Sequence, residues 1–220
     1  MNFVYLRPDS NWFIVENLHK NDDLFPYDCD TLKNEITNQL SNRYEYMDVF
    51  KTKFCFNVNS SEVKEQLDFY IDDNKLALMA TFMDDEKIHP MITFHGTSKE
   101  TIELILNNGY IIPGTNKNVK IVHGAVYGPG IYSSPFYDKA RYYAAKDKES
   151  FMYIIVNLLF PGKIKLISDI PDSKEKIPFN GVFKDNIHTK IVYGLDQIIC
   201  ADPKRVISVA VITLSINKSN

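Results

Sequence analysis

The sequence predicts an α+β domain whose core is a mostly antiparallel β-sheet with few flanking helices. Three observations lead there. The second half carries apolar, β-branched runs of strand length: "FMYIIVNLLF", "KIKLIS", "TKIVYG" and "RVISVAVITL". Only a few stretches combine helical periodicity with end signals. The two kinds of element do not alternate regularly, as a parallel sheet with crossover helices would require. With 220 residues the chain suits one good core, or one domain with an appendage. The expected division is residues 1–57, a small, helical N-terminal region without an assignable role, and residues 58–220, the main domain.

In chain order, "DTLKNEITNQL" (30–40) reads as a helix capped by Asp30 or Thr31, with Leu32, Ile36 and Leu40 on one face. "KFCFNV" (53–58) alternates like a short strand. "SSEVKEQLDFYIDD" (60–73) reads as a helix capped by Ser60 or Ser61, with Val63, Leu67 and Tyr70 or Ile71 as its stripe. "KLALMATF" (75–82) and "MITF" (91–94) read as strands. "TSKETIELILNNG" (97–109) carries a full helix signature. Thr97 and Glu100 fit a capping box, Ile102, Ile105 and Leu106 share a face, and Gly109 is placed to end the helix in the left-handed conformation. Residues 110–127 form a loop with one strand-like piece, "VKIVH". Ser134 and Pro135 then read as N-cap and N1 of a helix over "PFYDKARYYAA", with Phe136, Ala140, Tyr143 and Ala144 inward.

Composition narrows the function. Apolar residues make up 45% and aromatics 13%, which is globular rather than disordered. A net charge of −3 argues against a dedicated nucleic-acid surface, though not against local contacts. Cys29, Cys55 and Cys200 are scattered, with no CxxC, so neither a zinc site nor a disulfide framework is indicated and a reduced, intracellular setting, cytoplasmic or nuclear, is expected. The first residues lack the basic start and apolar run of a signal peptide. The apolar run near 151–160 is interrupted by Asn157 and falls short of the ~20 residues that span a bilayer.

Common signatures are missing: no GxGxxG after a strand, no GxxxxGK[ST], no HExxH and no GxSxG. Five histidines at 19, 89, 95, 123 and 188 show no metal-ligand spacing, so no metal is expected. What remains is a pairing. "FHGT" (94–97) follows an apolar run and precedes a capped helix, and "YGPGIYSSPFYDKARYY" (127–143) leads into another. Loops and element ends beside rigid scaffolding are where binding groups concentrate.

These segments resemble the catalytic domain of the poly(ADP-ribose) polymerase family, the diphtheria-toxin-like ADP-ribosyltransferases. That family has an HG[ST] strand end, a GxGIY strand, a helix carrying a small residue and a tyrosine, and a late strand whose key residue lies four places before the aromatic of a "VYxxxQ"-like segment. Here the late segment is "TKIVYGLDQI", which puts Thr189 at the key position and Gln197 at the family's glutamine. The resemblance spans roughly residues 75–214. It implies a split, mostly antiparallel sheet and NAD+ as co-substrate. It also implies that His95 holds the adenosine ribose and that Gly96 offers its backbone N–H and C=O to the nicotinamide amide, its missing Cβ permitting close approach. By the same resemblance Thr97 adds a hydroxyl, Tyr132 lines the nicotinamide ribose, and Tyr143 stacks on the nicotinamide ring. Residues 110–127 would form the loop over the donor.

Two departures shape the expected activity. Chain-elongating members carry a glutamate where this chain has Thr189, and a threonine hydroxyl is no general base near neutral pH. The expected triad is His95, Tyr132 and Thr189, with transfer of single ADP-ribose units to an acceptor protein, the chain itself included; a nucleic-acid acceptor stays open. The family's serine on the helix is Ala140, which removes one hydrogen bond of about 1 kcal/mol from nicotinamide recognition. The alternative is a weak or inactive NAD- or ADP-ribose-binding module on the same fold. The arginine-directed toxin class needs a late E-x-E pair, which this chain lacks.

Overall fold

The computed structural model describes residues 28–47, 63–86, 90–112, 126–144, 151–167, 178, 180–192 and 197–216. The expectations placed on 1–27, on the strands at 53–58 and 119–123, and on Tyr193 lie outside them.

Helix α1 runs over Cys29–Met47 and is capped two or three residues earlier than expected, by Asp28, whose carboxylate accepts from the Thr31 N–H at 2.7 Å. Leu32, Ile36 and Leu40 are its buried stripe, as their spacing predicts. The next two elements exchange identities. Val63–Phe69 is strand β1, not a helix, and Asp73–Glu86 is helix α2, not a strand. In β1 the apolar Leu67 and Phe69 alternate against one buried cluster. In α2, Leu76, Met79 and Phe82 recur at helical spacing against the same cluster, and the Asp72 carboxylate caps the start by accepting from the Lys75 N–H at 2.8 Å.

Strand β2 covers Met91–Thr97, and helix α3 covers Lys99–Asn108. Ser98, not Thr97, caps α3 by accepting from the Thr101 N–H. Gly109 ends it at φ 74°, in the region that favours glycine, with an extended ψ of 179°. Strand β3 is Ile131–Ser133, and helix α4 is Tyr137–Ala144. This helix starts two residues later than expected and buries Tyr137 rather than Phe136, together with Ala140 and Ala144. Strands β4 (Phe151–Leu159), β5 (Ile164–Ile167), β6 (Thr189–Val192), β7 (Gln197–Cys200) and β8 (Val206–Ile216) follow; β7 was not anticipated.

The strands form two four-stranded sheets, ordered β1-β8-β4-β2 and β3-β7-β6-β5. All pairings are antiparallel except β5 with β6. The expected mostly antiparallel, split core is therefore present. One cluster lies between the sheets: Ile155, Leu159 and Val211 from the first, Ile131, Ile191, Ile198 and Cys200 from the second, closed by Ile102 and Ile105 of α3. The other face of the first sheet, with Ile92, Phe94, Ile154 and Ile212, is covered by Leu32 and Ile36 of α1, Met79 of α2 and Ala140 of α4. Each such aliphatic side chain contributes on the order of 2 kcal/mol by leaving water. The sheets meet at an isolated pair: the Phe94 N–H donates to the Ser134 carbonyl at 2.7 Å, and the Ser134 N–H to the Phe94 carbonyl at 2.9 Å. No described helix is long and apolar enough to cross a membrane.

Candidate active site

The site is built where β2 continues past the Phe94–Ser134 pair. Alternate residues of an antiparallel strand direct their backbone groups to opposite edges. Gly96 has the parity of Phe94, so its N–H and C=O aim toward the same edge, where β3 diverges. The carbonyl of Tyr132, which would continue the ladder, instead accepts from the His95 ring: Nδ1 lies 2.7 Å from the Tyr132 oxygen.

A carbonyl can only accept, so His95 Nδ1 carries the proton and Nε2 is the acceptor of the neutral ring. Burial pushes the His95 pKa below the ordinary imidazole value, and the hydrogen bond to Tyr132 partly opposes that shift. The imidazole is thus neutral near pH 7. The Tyr110 ring meets it edge-on, with centroids 5.5 Å apart at 86°. Thr97, half-buried, closes β2 opposite Tyr153 and shares the His95 face.

Packing also requires a glycine at position 96. A Cβ there would lie 1.8 Å from the Ala140 carbonyl oxygen and 2.8 Å from the Ala144 nitrogen. The close approach it permits is that of α4. Ala140, 2% exposed, is part of that packing and brings no side-chain donor.

Tyr132 is half-buried and its hydroxyl is engaged. It donates to the Gly128 carbonyl at 2.7 Å and accepts from the Tyr127 N–H at 3.0 Å, tying down the turn before β3. Burial pushes its pKa up to about 12. Tyr143 accepts from Gln197 Nε2 at 3.2 Å and meets Tyr142 edge-on at 5.6 Å. Gln197 pairs with Val192 in register and shares the parity of Ile199, the partner of Tyr132. Tyr132, Gln197 and, through Gln197, Tyr143 therefore gather on one face of the second sheet.

Thr189 does not join them. It pairs with Cys200, which pairs with Ile131, so it lies on the opposite face from Tyr132 and is fully buried toward the inter-sheet core. Its neighbour Lys190 shares the Tyr132 face, buried, with its ammonium 4.1 Å from the Phe183 ring centroid. His188 is structural, accepting at Nδ1 from the Lys163 N–H at 3.0 Å. Among the described residues no group of three His, Cys, Asp or Glu is placed to hold a metal ion. Tyr110 is a contributor that the sequence did not single out, whereas Gln197 is the residue that the resemblance placed at the family's glutamine, without a role in the site. The sequence signal for Gln197 is a lone amide heading the apolar "QIIC".

A split, mostly antiparallel sheet whose histidine–glycine strand end is bonded to a tyrosine-bearing strand defines a class: the chain has the fold of the poly(ADP-ribose) polymerase catalytic domain. The crystal structure of the PARP domain of Arabidopsis RADICAL-INDUCED CELL DEATH1 superposes with a TM-score of 0.50, covering 72% of this chain and 92% of that one at 11% identity. In sequence, the chain is similar to "Poly [ADP-ribose] polymerase tankyrase" of Caenorhabditis elegans, 26% identical over 102 residues. That match takes in 42% of this chain and only 4% of the relative's length. No family model matches the chain.

Proposed function

We propose that the chain is an NAD-dependent mono-ADP-ribosyltransferase. It cleaves NAD+ between C1″ of the nicotinamide ribose and the pyridine nitrogen, transfers one ADP-ribose to a protein side chain and releases nicotinamide. The observation that carries this reading is the pairing at the end of β2: a neutral imidazole fixed through Nδ1, beside a peptide group on an open strand edge. In this reading His95 Nε2 accepts from a ribose hydroxyl, and the Gly96 N–H and C=O match the acceptor and donor of a carboxamide. The Tyr143 ring supplies a face for the pyridine, and the Tyr132 ring flanks the nicotinamide ribose. Thr97 adds a hydroxyl near the adenosine ribose, and Ala140 keeps α4 close without a hydrogen bond.

The bond electrons leave with the pyridine nitrogen, so nicotinamide departs neutral. An acceptor carboxylate then bonds C1″ without moving a proton, and bound geometry does most of the work. A hydroxyl acceptor, as on a growing chain, must lose its proton to a base. Thr189 offers only a buried hydroxyl, which is no such base, and this supports single-unit transfer. Mass spectrometry after incubation with isotope-labelled NAD+ tests the proposal: one ADP-ribose per modified site supports it, and a polymer ladder contradicts it. The placement of Thr189 also favours a second reading, an NAD- or ADP-ribose-binding module without turnover. Tight NAD+ binding with no nicotinamide release would identify that module.

A further inference from the structure

Asn157 interrupts an apolar strand and is fully buried, a placement that costs free energy unless its amide is used. It pairs in register with Thr93 of β2 and Ser208 of β8, a buried polar row across three strands. The row lies beside the one containing His95, on the same face. Between Val156 and Asn157 the register shifts: Val156 pairs with Ala210 and Asn157 with Ser208, leaving Val209 as a bulge. At this bulge Asn157 Oδ1 accepts from the Tyr110 hydroxyl at 3.1 Å and from the Ser208 hydroxyl at 3.2 Å. Tyr110 is buried, directly after the glycine that ends α3, and its ring meets the His95 ring at 86°.

We propose that Tyr110 is a positioning residue for His95, its ring anchored by Asn157 so that the imidazole is fixed on a second side. If Tyr110 only filled space, a phenylalanine over an aliphatic residue at 157 would do so without burying three polar groups. The phenol–amide bond adds orientation: it pins the far end of the ring axis, so the ring cannot slide or tilt without breaking it. His95 then has one restraint in its plane, the Tyr132 carbonyl at Nδ1, and one from the Tyr110 ring. Together they hold Nε2 in one direction. The functional meaning rests on the transferase reading; the geometry does not.

The test compares the wild type with Tyr110→Phe and with the double variant Tyr110→Phe/Asn157→Leu, which restores an apolar core. Long-range 1H–15N spectra read the tautomer of the His95 ring, assigned with His95→Gln, and a titration reads NAD+ affinity. The wild type is expected to show the Nδ1–H tautomer alone. The folded variants should show both tautomers or a broadened ring, and NAD+ binding weakened about three- to tenfold, the scale of one misdirected hydrogen bond. A folded double variant whose His95 signals superimpose on the wild type overturns the proposal. So does a wild-type ring already present in both tautomers, which needs no variant to fold. If the wild type binds no NAD+, the transferase reading fails and the ring spectra still decide this one.

Discussion

Gly96 and Ala140 meet backbone to backbone: the position a Cβ would take on the glycine lies 1.8 Å from the alanine carbonyl oxygen. The obstacle is main chain, so no side-chain rotation relieves it. Gly96→Ala should push α4 off β2 and destabilise the domain by about 3 kcal/mol or more. Urea unfolding at fixed pH measures this, and an unchanged midpoint would show that α4 does not pack as described.

His95 gives a pH dependence of defined sign. Its folded pKa is lowered by burial, so the unfolded chain takes up the proton at a higher pH than the folded one. Stability should therefore fall as pH drops below the ordinary value of 6.5, and level off once the folded ring also protonates. His95→Gln should remove that component, leaving a shallower slope between pH 6.5 and 5 in denaturant titrations.

Tyr132 holds the turn at 127–128 with two hydrogen bonds. Tyr132→Phe keeps the ring and loses both, which should cost about 1–2 kcal/mol of stability. Amide exchange at Tyr127 should speed up while the ladder between β6 and β7 stays protected. Equal loosening of both would mean the hydroxyl has no local role.

Thr189 separates the two readings of the late strand. Thr189→Val, close in shape, should leave NAD+ binding and labelling within about twofold of wild type, because the side chain faces the inter-sheet core. Thr189→Glu should unfold the domain or cost on the order of 3 kcal/mol by burying a carboxylate there. A stable Thr189→Glu variant that elongates chains would show that residue 189 reaches the donor.

Gln197 links β7 to Tyr143. Gln197→Leu should leave stability nearly unchanged and weaken NAD+ binding about three- to tenfold, the scale of one lost hydrogen bond. Isothermal titration checks it, and Tyr143→Phe should give a similar loss.

The elements that carry His95, Gly96 and Tyr143 were legible in the sequence because their patterns stand by themselves, whereas the strand of Tyr132, and the grouping of the four residues, rested on the family resemblance. Residues 63–86 were not. "VKEQLDF" carries apolar positions that fit either period, and "KLALMATF" is apolar enough for a buried strand. Pairing with the 11-residue β8 decides the first, and the Asp72 cap decides the second. The side of the sheet that Thr189 faces was hidden for a related reason. Counting back from an aromatic fixes a position along a strand, but the face follows from register with β7, a strand the sequence did not announce. The role of Gly96 was half legible: the sequence pointed to a missing Cβ and to helix α4, but only packing shows that the two meet.

The lone Phe94–Ser134 pair works as a rivet next to the His95–Gly96 strand end. Separation of the two sheets there and fraying of that joint are mechanically one event. The amide protons of these two residues are thus built-in gauges, exchanging faster whenever the joint opens.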